Sequence, residues 1–139
     1  MGDRILFEIY PDDSTDPPIY IYSHWGRTSG LADLAKALKA FRATHREDFD
    51  GFAVLLLRYL HIDSDVDAVT DFVIAPYPIC PDGLLVEVTS RDVIIWKTFN
   101  GKHEYCRVIM SHADFIKVFE NYEVHSSDDI PNLQKEVTE

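Results

Sequence analysis

The strongest constraint on the fold of this chain is the dipeptide Asn100-Gly101, which separates two β-prone segments. Asn and Gly tolerate the positive φ angles that a two-residue type I′ hairpin turn requires. The flanking segments 92–98 and 103–110 are therefore predicted to pair as antiparallel strands. The turn Pro81-Asp82-Gly83 precedes another β-prone segment, 84–89, which extends the pair to a three-stranded meander.

Earlier in the chain, the β-prone segments 4–10 and 19–22 flank a loop rich in Pro and Asp, which predicts an N-terminal hairpin. The segment 71–75 is predicted to form a further short strand.

Three segments carry apolar residues at helical spacing. The first is predicted to begin after the capping residue Ser29 and to end near His45; its apolar face comprises Leu31, Leu34, Ala35, Leu38 and Phe41. The second, capped by Asp48 or Asp50, is apolar on nearly all sides around Leu56 and is predicted to be the most buried helix. A last helix is predicted to start at Ser111 or His112.

Because strands and helices do not alternate, the predicted fold class is α+β. A mostly antiparallel sheet, made of the N-terminal hairpin and the C-terminal three-stranded meander, packs against two to three helices. The length of 139 residues suits one domain, predicted to span residues 1–125. Residues 126–139 are predicted to form an acidic, frayed tail.

The charge balance limits the classes of partner. The chain has 24 acidic and 13 basic residues, for a net charge of −11. This charge argues against direct nucleic-acid binding over the whole surface. No signal peptide or membrane-spanning segment is predicted, so a cytoplasmic protein is expected, with no membrane partner. Cys80 and Cys106 form no CxxC pair and are predicted to be reduced thiols, with a disulfide or a reactive thiol as the alternative.

The first candidate site is the glycine-bracketed segment between the second strand and the first helix. A helix N-terminus offers unbonded N–H groups and the positive end of the helix dipole. Arg27 adds a cation, Thr28 and Ser29 add hydroxyls, and His24 and Trp25 can contribute a titratable ring and a stacking surface. Together they form a candidate site for a phosphate or carboxylate. The alternative is structural: Ser29 caps the helix, Trp25 belongs to the core and His24 bonds a backbone carbonyl.

The second candidate is a basic stripe on the first helix and the residues that follow it, formed by Lys36, Lys39, Arg42 and Arg46. Three of these residues are spaced three apart, on the side away from the apolar face. The stripe is a candidate surface for an acidic partner, or else a solvated helix face that offsets an acidic body.

No metal, cofactor or catalytic centre is predicted. The motif Asp63-x-Asp65-x-Asp67 opens like a calcium loop, but Ala68 stands where the loop needs Gly and Ile74 where it needs Glu. The six histidines show no metal-ligand spacing, and Ser23-His24 lacks the GxSxG motif.

The segment Ile19-Tyr20-Ile21-Tyr22-Ser23-His24-Trp25-Gly26, followed by the two predicted helices, resembles small uncharacterised proteins of tailed phages and prophages. Those proteins carry a strand that ends in a Tyr-Thr-His-Trp-Gly-like signature, with two helices behind it. The resemblance covers residues 19–60. It implies a phage-related accessory protein and no catalytic residues.

Three hypotheses about function follow. The leading one is a non-enzymatic phage- or prophage-type accessory protein that binds a host macromolecule in the bacterial cytoplasm, for instance as an acidic inhibitor. The second is a nucleotide- or anion-binding protein, or a small hydrolase, centred on His24–Ser29. The third is a structural protein of a phage particle.

Overall fold

A computed structural model describes residues 5–11, 16–23, 27–46, 48–61, 72–75, 83–99 and 102–121. These residues form six strands and three helices. In chain order they are β1 (Ile5–Ile9), β2 (Ile19–Ser23), α1 (Arg27–Ala43), α2 (Phe52–His61), β3 (Phe72–Ala75), β4 (Gly83–Val88), β5 (Asp92–Phe99), β6 (Lys102–Ser111) and α3 (His112–Phe119).

The strands form one six-stranded sheet in the order β3-β2-β1-β4-β5-β6. The predicted N-terminal hairpin is confirmed by β1 and β2, and the predicted meander by β4, β5 and β6. The strand β3 extends the hairpin, antiparallel to β2. A parallel pair, β1 with β4, joins these two halves at the centre of the sheet. The α+β class is confirmed, with one parallel pair in a mostly antiparallel sheet.

The register of β5 and β6 agrees with the predicted two-residue turn. Phe99 pairs with Lys102, so two residues remain to connect the strands. Those residues, Asn100 and Gly101, lie outside the described part of the chain, as do the predicted tail 126–139 and the acidic loop at 63–67.

The described helices pack against one face of the sheet. Alternate side chains point to opposite faces of a strand. In the central strands, Ile5, Phe7, Leu84 and Val86 are fully buried in one cluster with the apolar faces of the helices. None of the helices in the described ranges is long and apolar enough to cross a membrane.

The helix α1 lies between α2 and α3. This position corrects the expectation that α2 is the most buried helix: Leu56 is fully buried as predicted, but Val54 is 67% exposed. A helix on the flank of its layer leaves its outer side in solvent, whereas the central helix is covered from both sides. The last helix starts as predicted, because Ser111 is the N-cap and its Oγ accepts a hydrogen bond from the N–H of Asp114 at 3.2 Å.

Candidate functional site

The predicted anion site at the start of α1 is only partly described. His24 and Trp25 lie outside the described residues, and the structure describes Arg27, Thr28 and Ser29 through their backbone. The predicted cap at Ser29 is wrong. The helix begins at Arg27, so Ser29 already has helical geometry, whereas an N-cap residue stands just outside the helix. Arg27, Thr28 and Ser29 therefore form the first turn, and the anion site itself stays a prediction.

The predicted basic stripe is exposed, but part of it is paired within the chain. Lys36, Lys39, Arg42 and Arg46 are all exposed side chains. The Lys39 Nζ lies 2.6 Å from an Oε1 of Glu120, beyond the end of α3, and the Arg46 Nη2 lies 3.3 Å from Oδ2 of Asp48. These two ion pairs weaken the stripe as a surface for an acidic partner.

The sheet face opposite the helices is rich in apolar and aromatic side chains. We call it the helix-free face, because none of the described helices packs on it. It carries two rows of residues that are neighbours in the sheet register. The first row is Ala75, Tyr20, Glu8, Glu87, Ile94 and Ile109, and the second is Tyr22, Leu6, Leu85 and Trp96. The only charged side chains in these rows are carboxylates.

Exposure varies across the helix-free face. Ile109 on the edge strand β6 is 59% exposed, and the aromatic side chains are half-buried. Leu6 and Leu85, at the centre of the second row, are buried although they stand outside the main core cluster. The face is thus an apolar surface with a buried centre, and Ile109 on β6 is its most exposed described residue.

A hydrogen-bonded cluster lies at the centre of the first row. Glu8 is 8% exposed. Its Oε1 accepts hydrogen bonds from the hydroxyls of Tyr10 and of Tyr20, the latter at 3.2 Å. Both residues are placed by the strands: Tyr20 is the cross-strand partner of Glu8, and Tyr10 follows it by two positions, on the same face. Two phenol donors explain how a carboxylate is tolerated at this depth.

The cluster holds both phenols in the protonated form. Burial raises the pKa of Tyr10 well above its usual value, and the Glu8 carboxylate that accepts its hydrogen bond raises it further. Burial also raises the pKa of Tyr20, followed by the negative charge of Glu8. Glu87 is the register partner of Glu8 and adds to both shifts. The tyrosines therefore act as hydrogen-bond donors and not as bases.

A cleft of about 200 Å³ opens where β1 ends and α2 begins. Its walls are mainly apolar and are formed by Ile9, Pro11, Pro17, Ile19, Phe49 and Ala53. Asp16 and Asp50, which are exposed residues, also line it. Tyr10 belongs both to this cleft and to the Glu8 cluster, so the cleft adjoins the helix-free face.

A buried histidine lies next to the cleft, against Phe49 of its wall. His112 is 2% exposed and its Nε2 lies 2.7 Å from the carbonyl oxygen of Thr89. Since a carbonyl only accepts, Nε2 carries the proton. Nδ1 is buried without a hydrogen-bond partner among the described residues, and the ring stacks on Phe49 at 5.6 Å between centroids. Burial lowers the pKa of His112; the Thr89 carbonyl and Asp92 oppose the shift and Arg42 adds to it.

The sequence did not predict these groups as a site. The spacing of Glu8 and Tyr10 places both on one face of a strand, and this signal was available. The contact of Glu8 with Tyr20 depends on the hairpin register. The proximity of Glu8 to Glu87 depends on the parallel pairing of two strands that are distant in the sequence. His112 was expected only as a helix start.

The described residues contain no group of three or more His, Cys, Asp or Glu side chains that could hold a metal ion. Comparisons of the chain with protein-family models, with curated proteins and with solved structures found no match.

Proposed function

We propose that the protein is a non-enzymatic binding protein and that its helix-free face docks a protein partner. The observation that carries this proposal is the concentration of large apolar side chains on one face. Tyr20, Tyr22, Ile94, Trp96 and Ile109 occupy neighbouring register positions there. Contiguous apolar surface rimmed by polar groups is typical of interaction sites, and aromatic residues are enriched at the centres of protein interfaces.

The charge of this face selects among partners. Glu8 and Glu87 on this face are among the acidic residues that give the chain its net charge of −11. A nucleic-acid backbone would be repelled, whereas a protein that presents Lys or Arg around an apolar patch would be attracted. The partner is therefore a basic protein.

The finer proposal is that this partner is a host protein in the bacterial cytoplasm and that the chain is a phage- or prophage-type accessory protein. Its support is the resemblance of residues 19–60 to phage proteins together with the acidic charge. A basic host protein whose own ligand is nucleic acid would be inhibited by such a competitor.

The test is capture of a partner from bacterial lysate with a matched pair of surface variants. Ile109→Glu places a charge on the helix-free face, where the parent residue is 59% exposed, and Val54→Glu places the same charge on α2, where the parent residue is 67% exposed. Both substitutions are on the surface, so both variants should stay folded. We expect a specific partner whose capture falls about tenfold or more with Ile109→Glu and is unchanged with Val54→Glu.

Capture should also weaken as salt rises from low to moderate concentration, because part of the attraction is between charges. Recovery of no specific partner at either salt concentration would contradict the proposal, and so would equal losses in the two variants.

The anion-binding alternative keeps one supporting observation. The first turn of α1 contains Arg27, Thr28 and Ser29 and no acidic residue, so no side chain of this turn offsets the positive end of the helix dipole. A thermal-shift screen with nucleotides and inorganic phosphate distinguishes the anion-binding hypothesis from the docking hypothesis, since a ligand that binds the native state raises the melting temperature. A shift that Arg27→Ala abolishes would favour this alternative.

A further inference from the structure

We propose that the cleft at the end of β1 receives a Lys or Arg side chain of the protein partner, as an anchor beside the helix-free face. This inference rests on the proposed function, because it names the chemistry of one contact in the same docking event.

The size of the cleft limits its occupant. Pockets for drug-sized ligands span about 300–1,000 Å³. The cleft measures about 200 Å³, below that range, and its size suits a single long side chain.

The lining determines the chemistry of that side chain. The apolar walls, with Ile9 and Phe49 deep and Ile19 41% exposed, match an aliphatic stem. The charged residues among the described lining are Asp16 and Asp50, and none of the described lining residues is basic. A long side chain with an apolar stem and a cationic head, as in Lys and Arg, satisfies both parts of the lining.

The Tyr10 hydroxyl is a polar group of the cleft wall, and it does not favour binding of an anion. The hydroxyl of Tyr10 donates to Glu8, so this donor is already used within the protein. Nearby Arg46 lies 3.3 Å from Asp48 and is not part of the lining. An anionic side chain would therefore be repelled by two acidic residues of the lining, whereas a cationic one is complementary to them.

The position of the cleft lets one partner reach both surfaces. Tyr10 lines the cleft and bonds Glu8 in the first row of the helix-free face. A partner segment that crosses Tyr10 can bury apolar residues on the face and place one cation in the cleft.

The experiment is an amide NMR titration with short peptide probes. Four pentapeptides of the form acetyl-Gly-Gly-X-Gly-Gly-amide are compared, in which X is Lys, Arg, norleucine or Glu. Norleucine keeps the stem of Lys and lacks its charge. We expect saturable shifts with Lys and Arg at the amides of Ile9, Ile19 and Ala53, and smaller or no shifts with norleucine and Glu.

Two single variants test the carboxylates. Asp16→Asn and Asp50→Asn should each weaken binding of the Lys peptide by up to about fivefold, the range for exposed ion pairs. Asp114→Asn is the matched control, since it removes the same charge from an exposed residue outside the lining and should leave binding unchanged. The amide spectrum of each variant reports whether it is folded.

Three results would overturn the inference. They are no saturable shift with Lys or Arg, equal shifts with Lys and norleucine, and tight binding of free spermidine without binding of the peptides. The proposed function fails separately. If the peptides bind but Ile109→Glu leaves partner capture intact, the inference about the cleft is supported and the proposed docking face is contradicted. If Ile109→Glu abolishes partner capture but no peptide binds, only the inference about the cleft is contradicted.

Discussion

Acidification provides a sharp test of the packing around His112. The ring is 2% exposed, Nε2 donates to the Thr89 carbonyl and Nδ1 has no partner among the described residues. Protonation would bury a second N–H without an acceptor beside the apolar ring of Phe49, and the positive charge of Arg42 adds to the cost. The folded state therefore resists binding a proton that the unfolded chain accepts.

The sign and size of the effect follow from linkage. Burial lowers the pKa of folded His112 below its ordinary value of 6.5. The stabilisation of the folded state by neutral His112 is complete above pH 6.5. It is lost as the pH falls from 6.5 to the pKa of His112 in the folded state. Within that window one proton changes the free energy of unfolding by at most about 1.4 kcal/mol per pH unit. Between pH 7.5 and pH 5 the loss is therefore at most about 2 kcal/mol.

The assay is urea unfolding of the parent and of three variants over this pH range. His112→Gln keeps an amide donor for the Thr89 carbonyl but cannot titrate, and His112→Leu lacks the donor. Both should lose the pH dependence due to His112. At pH 7.5 His112→Leu should be the less stable of the two, by about 1–3 kcal/mol, because the carbonyl is left unsatisfied.

The matched control is His45→Asn, which removes an exposed histidine. Asn suits that position because the backbone there has φ 56°, in the left-handed region. The control should keep the part of the pH dependence that is due to His112. An unchanged slope in His112→Gln would refute the assignment of the titration to His112.

Three further predictions concern stability and the cluster on the sheet. Leu56→Ala, at a fully buried position, should lower the free energy of unfolding by about 2–5 kcal/mol in urea, and a cost below about 0.5 kcal/mol would place α2 outside the core. Gly30→Ala should raise it by up to about 1 kcal/mol, since a Cβ there comes no closer than 3.4 Å to the β1 side chains and Ala is the better helix former; a lower melting temperature would count against this packing. Glu8→Gln should lower the pKa of Tyr10 and Tyr20, followed by tyrosinate absorbance at alkaline pH, and an unchanged titration would show that Glu8 does not control the phenols.

The parts of the fold that the sequence predicts are those fixed by neighbouring residues. The hairpin of β5 and β6 follows from turn chemistry at Asn100-Gly101, and the start of α3 follows from the capping ability of Ser111. The parallel pair of β1 and β4 joins segments far apart in the chain, and nothing local to either strand specifies that pairing.

The same difference between local and long-range interactions explains which features of the sites the sequence predicts. Ser29 has the residue type of a cap, but caps and first-turn positions differ by only a few residues and both accept polar side chains, so the start of α1 was misplaced. The Glu8 cluster needs a register across three strands, and the lowered pKa of His112 needs burial by tertiary packing, which outweighs the opposing hydrogen bond to Thr89. The cleft is bounded by two strands and the start of a helix, so no single segment of the sequence predicts it.

The most direct test of the docking face is methyl NMR cross-saturation of the isoleucine-labelled protein in complex with its captured partner. Ile94 and Ile109 stand on the helix-free face, whereas Ile74, which is 56% exposed on β3, shares a register position with Ile21 of the helix-covered face. Docking on the helix-free face predicts strong attenuation of the Ile109 and Ile94 methyl signals and little change at Ile74. Attenuation at Ile74 with none at Ile109 would contradict it.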